Sequence, residues 1–247
     1  MLTNLDNNSL LIIFVAISLG GFVKGVISFG LPLVALPILS FAFNPKQAIF
    51  LLFFTVIAVN IREIKFKNFG SYKKVIFLSI GIFVGIIIGS VLFHKVHDDL
   101  ISKLIGFMII LAAIINFTNF KIDENILLNK FFSTSYGFVC GFVGGITTLV
   151  SPLIAVYLAS LKLDKEEFSE LISLTIFACL IPIYSVFFVY QTVNFYDFLI
   201  SLSLVIPAVI MQMLGFRIRK ILPQSIFRNI ILIMLLIIGT MVIYKNW

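Results

Sequence analysis

Two short stretches of this sequence set hydroxyl, glycine and proline residues inside otherwise apolar runs, and their chemistry suits an anion. Ser28 in the first stretch, and Thr147, Thr148 and Ser151 in the second, supply hydroxyl donors. Gly30, Gly144 and Gly145 let backbone approach a ligand closely, with Phe29 between Ser28 and Gly30. Pro32 and Pro152 suit the first turns of half-helices, whose leading amides have no acceptor within the helix. Such amides hold negative charge through hydrogen bonds and the helix dipole. Lys24 is the one basic residue well inside an apolar span and is a candidate counter-charge. Its alternative role is to snorkel to water from near the end of its helix. Asn60 and Gln212, polar groups in or near spans, read as hydrogen bonds between helices.

Other chemistries have less to build on. His94 and His97 are three residues apart, but with Lys95 and Asp98 beside them they read as a solvated loop and not as metal ligands. Cys140 and Cys179 fall in apolar runs, lack disulfide or zinc spacing, and read as packing residues. All eleven acidic residues fall in loops or at span ends, which leaves no carboxylate relay of the kind a cation pump needs. An intramembrane enzyme would want paired carboxylates, a metal cluster or a Ser/His dyad at membrane depth. None is evident, so neither enzymatic activity nor a cofactor or metal is expected.

The elements that position these residues are membrane spans. Of the 247 residues 61% are apolar and only 12% charged, which excludes an ordinary soluble domain. The net charge of +7 builds no basic stripe with interleaved aromatics, so nucleic acid is not an expected partner. Crossing a hydrocarbon core takes about 20 helical residues. Ser9 to Ser28, Val75 to Phe93, Leu171 to Val189, Phe198 to Phe216 and Ile226 to Tyr244 meet that length, and Pro45 to Ile61 and Leu100 to Asn116 are shorter candidates. The stretch before Ser9 lacks the positive region of a cleavable signal peptide, so the first run reads as retained structure. Gly81, Gly85 and Gly89 recur every fourth residue and give one helix face on which a neighbour can pack closely.

The broken runs belong to a repeat. GFVKG at Gly21 to Gly25 matches GFVCG at Gly137 to Gly141, 116 residues later, which makes Cys140 the counterpart of Lys24. Each motif leads into a Pro-containing run, a polar loop (NPKQ, LDKEE) and three plain spans. Basic residues accumulate in cytoplasmic loops. If each broken run dips in and returns to its own side, thirteen Lys and Arg fall inside and four outside, and the two halves are inverted. If each run completes a crossing, the sides hold eight and nine. The expectation is therefore an all-α polytopic membrane protein of two inverted repeats, 1–125 and 126–247, each with a broken, re-entrant first segment followed by three transmembrane helices. Non-helical backbone at membrane depth is tolerated where it is buried in protein or lines a polar cavity, and transporters build sites that way.

GFVKGVISFGLPLVALPIL with NPKQA, and GFVCGFVGGITTLVSPLIAVYL with LDKEEF, resemble the TauE/SafE family of sulfite-exporter-like permeases over nearly the whole chain. Ser28, Thr148, Val150 and Ser151 stand where that family is richer in glycine. The resemblance implies a multi-pass protein of the cell inner membrane that carries sulfite, sulfonates or related small organic anions. With the residues above, it gives a permease in which the two breaks meet near the midplane to form an anion site, with alternating access around them. A structural membrane protein is the third class, and it would have no need of two matched breaks.

Overall fold

The computed structural model describes residues 6–65, 69–117, 122–190 and 195–221. The expected span Ile226 to Tyr244 lies outside them, as do Lys67, Lys121, Arg228 and Lys245 of the charge count. All regular structure among the described residues is helical: α1 (Asn7–Ile27), α2 (Leu31–Leu39), α3 (Pro45–Leu51), α4 (Phe53–Ile61), α5 (Phe69–Tyr72), α6 (Ile76–Lys95), α7 (Asp98–Phe117), α8 (Glu124–Leu127), α9 (Lys130–Thr147), α10 (Ser151–Ala159), α11 (Lys165–Tyr190), α12 (Phe195–Ser203) and α13 (Val205–Ile221). Four stretches are long and apolar enough to cross a bilayer: Asn7–Ile27, Ile76–Lys95, Lys165–Tyr190 and Phe195–Ile221, the last taking in α12 and α13. The lipid-facing surface is legible on α6, where Ile76, Ile80, Phe83, Val84, Ile87 and Ile88 are exposed while Gly81, Gly85 and Gly89 are buried. In water such a face would drive association; in hydrocarbon it meets its own solvent.

Caps set the element starts. The carboxylate of Asp6 accepts from the Ser9 amide at 2.9 Å and opens α1. Asn44 and Gln47 form a reciprocal capping box around Pro45 at the start of α3. The carboxamide oxygen of Asn129 accepts from the Phe131 and Phe132 amides to open α9.

The chain forms two compact units, each discontinuous in sequence; within the described stretches it passes from one to the other between Val59 and Asn60 and between Val96 and His97. The first unit holds α1, α2, α3, α4 as far as Val59, α7, α12 and α13. Here α1 packs on α13 through Gly21 and Gly25: a Cβ on Gly25 would stand 2.2 Å from the Gln212 carbonyl oxygen. Gln212 in turn donates to the Val59 carbonyl at 2.8 Å, the interhelical role expected of it. The expected span Pro45 to Ile61 is interrupted at Leu52. Ser201 of α12 satisfies that interruption by donating to the Leu51 carbonyl (3.1 Å) and accepting from the Phe54 amide (3.4 Å).

The second unit holds α5, α6 and α8 to α11. The glycine face of α6 meets α9 backbone to backbone, and Gly137, Gly141 and Gly145 of α9 answer it. The Tyr157 hydroxyl, fully buried on α10, joins the Ser133 hydroxyl (2.9 Å) and the carbonyls of Leu127 (3.0 Å) and Lys74 (3.3 Å). Tyr157→Phe strips buried acceptors of their donor and is expected to cost about 1–3 kcal/mol. Unfolding of the purified variant in detergent would measure it, and an unchanged midpoint would mean the hydroxyl carries no stabilising bond.

The same contact recurs in both units. A Cβ on Gly215 would stand 2.2 Å from Phe22 O and 3.1 Å from Gly25 Cα; a Cβ on Gly89 would stand 2.3 Å from Phe142 O and 3.1 Å from Gly145 Cα. Phe22 and Gly25 therefore correspond to Phe142 and Gly145, 120 residues on, which corrects the register of 116. The counterpart of Lys24 is Gly144, not Cys140. The second half carries the motif twice, GFVCGFVGG, four residues apart and so on one helix face, and sequence spacing alone cannot choose between copies. Each third span packs on the first span of the other sequence half.

Candidate functional site

The first break is built from Lys24, Ser28, Phe29, Gly30 and Pro32. Helix α1 ends at Ser28, which takes a left-handed conformation (φ 74°) while its amide bonds to the Lys24 carbonyl. Phe29 follows, and Gly30 (φ 97°) starts α2 without any side-chain cap. A serine at positive φ costs roughly 1–2 kcal/mol relative to glycine, so strain is held at this turn. Pro32 lacks an N–H, and no carbonyl or side chain among the described residues accepts from the amides of Leu31 or Leu33. The Ser28 hydroxyl is buried without a hydrogen-bond partner, at 1% exposure of the residue. Lys24 is 2% exposed and donates its ammonium to the Ser28 carbonyl. It therefore does not snorkel. Its side chain turns along its own helix onto the break.

The second break gathers Gly144, Gly145, Thr147, Thr148, Ser151 and Pro152. Helix α9 ends at Thr148, again left-handed (φ 60°), its amide on the Gly144 carbonyl at 2.6 Å. Helix α10 starts at Ser151 with Pro152 in its first turn and no side-chain cap. Here the threonine hydroxyls are committed locally: Thr147 donates to Val143 O (2.8 Å) and accepts from the Leu149 amide (3.2 Å), and Thr148 donates to Thr147 O (2.7 Å). The glycines also have packing reasons. A Cβ on Gly144 would lie 2.6 Å from Val150 Cβ, and one on Gly145 would lie 2.7 Å from Ile86 O and Ser90 N. Gly30 differs: a Cβ there would meet only Val23 and Ile27 side chains at ordinary distances.

One residue beside the second break was missed from the sequence. Ser90 of α6 is buried with an unpartnered hydroxyl, next to Gly145. Its only signal is its place just after the glycine series. His94 is not in a loop but in the last turn of α6, stacked on Tyr190 at 4.8 Å and edge-on to Phe187, because an aromatic pocket on α11 receives it; His97 is exposed. The acidic residues stand at element ends as expected, yet Glu170 and Asp197 are buried. Glu170 accepts from the Tyr72 hydroxyl (2.6 Å) and the Lys65 amide (3.2 Å), while Glu63 accepts from Ser169 and Ser173. These bonds tie the segment before α6 to the first turns of α11. Among the described residues no three His, Cys, Asp or Glu side chains gather as a metal site. Cys140 and Cys179 are buried free thiols.

Against known families, the chain matches the model described as Sulfite exporter TauE/SafE over residues 13–242. It belongs to the TauE/SafE family. No curated protein and no solved structure matches it. Membership places both breaks inside the matched region and makes the chain an integral membrane protein of a permease family.

Proposed function

We propose that this TauE/SafE protein is a cell inner-membrane permease for a small anion such as sulfite, a sulfonate or a related organic anion, working by alternating access around its helix breaks. The observation that carries the reading is the uncapped start of α2 beside the buried, unpartnered hydroxyl of Ser28. Open amides at a helix start, the positive end of the helix dipole and a spare hydroxyl form a donor set for oxyanions. In this reading Lys24, Ser28, Phe29, Gly30 and Pro32 bind substrate in the first break, and Gly144, Gly145, Thr147, Thr148, Ser151 and Pro152 in the second. The sequence halves 1–125 and 126–247 are inverted repeats, an assignment supported by the thirteen-to-four division of basic residues. An intramembrane enzyme or a structural membrane protein is the alternative.

Flux of labelled sulfite, methanesulfonate and sulfate into proteoliposomes separates these readings. Saturable flux of at least one anion above empty liposomes, lost in Gly30→Leu, is the expected result. Background flux of all three by protein shown to be folded would remove the transport reading.

A further inference from the structure

The two breaks make the same left-handed turn with different groups. At the second, hydroxyls hold it: Thr147 donates to the Val143 carbonyl and accepts from the Leu149 amide across the turn, and Thr148 donates to the Thr147 carbonyl. At the first, a lysine holds it. The Ser28 amide bonds to the Lys24 carbonyl while the buried Lys24 ammonium reaches back to the Ser28 carbonyl, so the two residues are joined from both ends of the last turn of α1. The position corresponding to Lys24 in the second break is Gly144, whose carbonyl accepts from the Thr148 amide but which has no side chain to return. With the first turn held by the lysine, the Ser28 hydroxyl is left over. It is buried and makes no hydrogen bond, whereas the hydroxyl of Thr148, its counterpart, is committed.

From this exchange of roles we infer that Lys24 is a positioning residue: by clamping the Ser28 carbonyl it holds the αL turn, and so leaves the Ser28 hydroxyl, with the open Leu31 and Leu33 amides, as the donor set for an oxyanion. The inference rests on the transport reading above and refines the part Lys24 has in it, since the lysine then acts through Ser28 and not by touching the solute. Among the described residues only Ser28 and Thr148 are non-glycine residues at positive φ. Such residues are strained and persist only where their surroundings hold them. A serine that held its own turn could not also offer its hydroxyl to a ligand, and a side chain one turn back removes that conflict. Lysine suits the task, because an ammonium on the last carbonyls of a helix meets the negative end of the dipole, and a buried charge has to be hydrogen-bonded. The clamp uses one of its three N–H donors and holds whatever the other two bond to. Glycine at position 28 would need no clamp, yet it would lack the hydroxyl.

A double-mutant cycle read by methanesulfonate titration of the purified protein in detergent makes the test. Lys24→Met removes the clamp, while Ser28→Gly removes both the hydroxyl and the strain that the clamp opposes. Each single variant should bind methanesulfonate about tenfold more weakly than wild type or worse, and Lys24→Met should also melt lower. The double variant should bind within about twofold of Ser28→Gly, because a clamp with no hydroxyl to position has nothing to add to affinity. That last comparison decides the matter even where Lys24→Met alone fails to fold. A further tenfold loss in the double variant would mean that the ammonium meets the anion itself. Unchanged affinity in Lys24→Met with a lower melting temperature would make the lysine purely structural. Either result would overturn the inference while leaving a transporter. Absence of binding of methanesulfonate, sulfite and sulfate by folded wild-type protein would instead overturn the transport reading on which it rests.

Discussion

Gly85→Leu is expected to remove the folded protein from the membrane, although the same change raises the hydropathy of a span that already inserts. A Cβ at position 85 would stand 2.2 Å from the Phe138 carbonyl oxygen and 2.7 Å from the Phe142 amide nitrogen. Both are backbone atoms of α9, so no rotamer change relieves the overlap. Gly81 and Gly89 make the same approach at 2.0 and 2.3 Å from the Thr134 and Phe142 oxygens, so the two helices would have to separate along the whole seam. Membrane helices gain little from apolar burial against each other and depend on close packing, which makes such a separation hard to offset. Overpacking in a core typically costs about 1–3 kcal/mol, and a clash with rigid backbone lies at or above that upper end. The comparison is Gly30→Ala, whose new carbon would lie 3.5 Å from Val23 Cγ1. It carries the positive-φ penalty alone, roughly 1–2 kcal/mol, and should still accumulate. Size-exclusion profiles of the two variants extracted in mild detergent decide the matter. A monodisperse Gly85→Leu protein melting like wild type would show that α6 and α9 do not meet as described.

That seam also marks how far the sequence could be read. The glycine series of α6 announced a close neighbour, because four-residue spacing puts three missing side chains on one face. It did not say which neighbour, since any glycine-faced helix fits. The breaks at Ser28 and Thr148 were legible for a different reason: proline just inside a helix start and small residues before it are local signals that tertiary packing does not override. Register was not legible, because GFVCGFVGG offers two alignments one turn apart on the same face. The fate of Lys24 was not legible either. Whether a lysine three residues from a helix end reaches for water or folds onto the last turn depends on what buries it, and at this turn the buried carbonyl of Ser28 is within its reach. The interruption at Leu52 gave no local signal at all. No glycine or proline marks it, and it is sustained by the distant hydroxyl of Ser201. His94 was misplaced because polar neighbours outweighed the helical pattern, whereas Phe187 and Tyr190 extend α6 by receiving the ring.

Cutting the chain between Phe117 and Ile122 should leave two fragments that fold only together. The first fragment would carry α1 to α7 and the second α8 to α13. Neither contains a complete helix pair of the repeated kind: α1 finds Ala208, Gln212 and Gly215 on the second fragment, while Gly81, Gly85 and Gly89 on the first find α9 on the second. Expressed alone, each fragment would insert its apolar helices but leave a glycine face open to lipid, where long-chain neighbours cannot fill the groove a partner backbone fills. Proteolysis of the separate fragments and their co-purification when expressed together is the expected outcome. Introducing Gly85→Leu into the first fragment should abolish co-purification, because it blocks the α6–α9 contact without touching the α1–α13 contact. Gly25→Leu, with its new carbon 2.2 Å from the Gln212 carbonyl oxygen, should do the same through the other pair. Two fragments that are each stable and protease-resistant alone would mean that the helices pair within sequence halves, and the exchanged packing would have to be abandoned. Loss of association with either single substitution would instead establish that both exchanged pairs are needed, as expected if each compact unit is closed only by a helix from the other half of the chain.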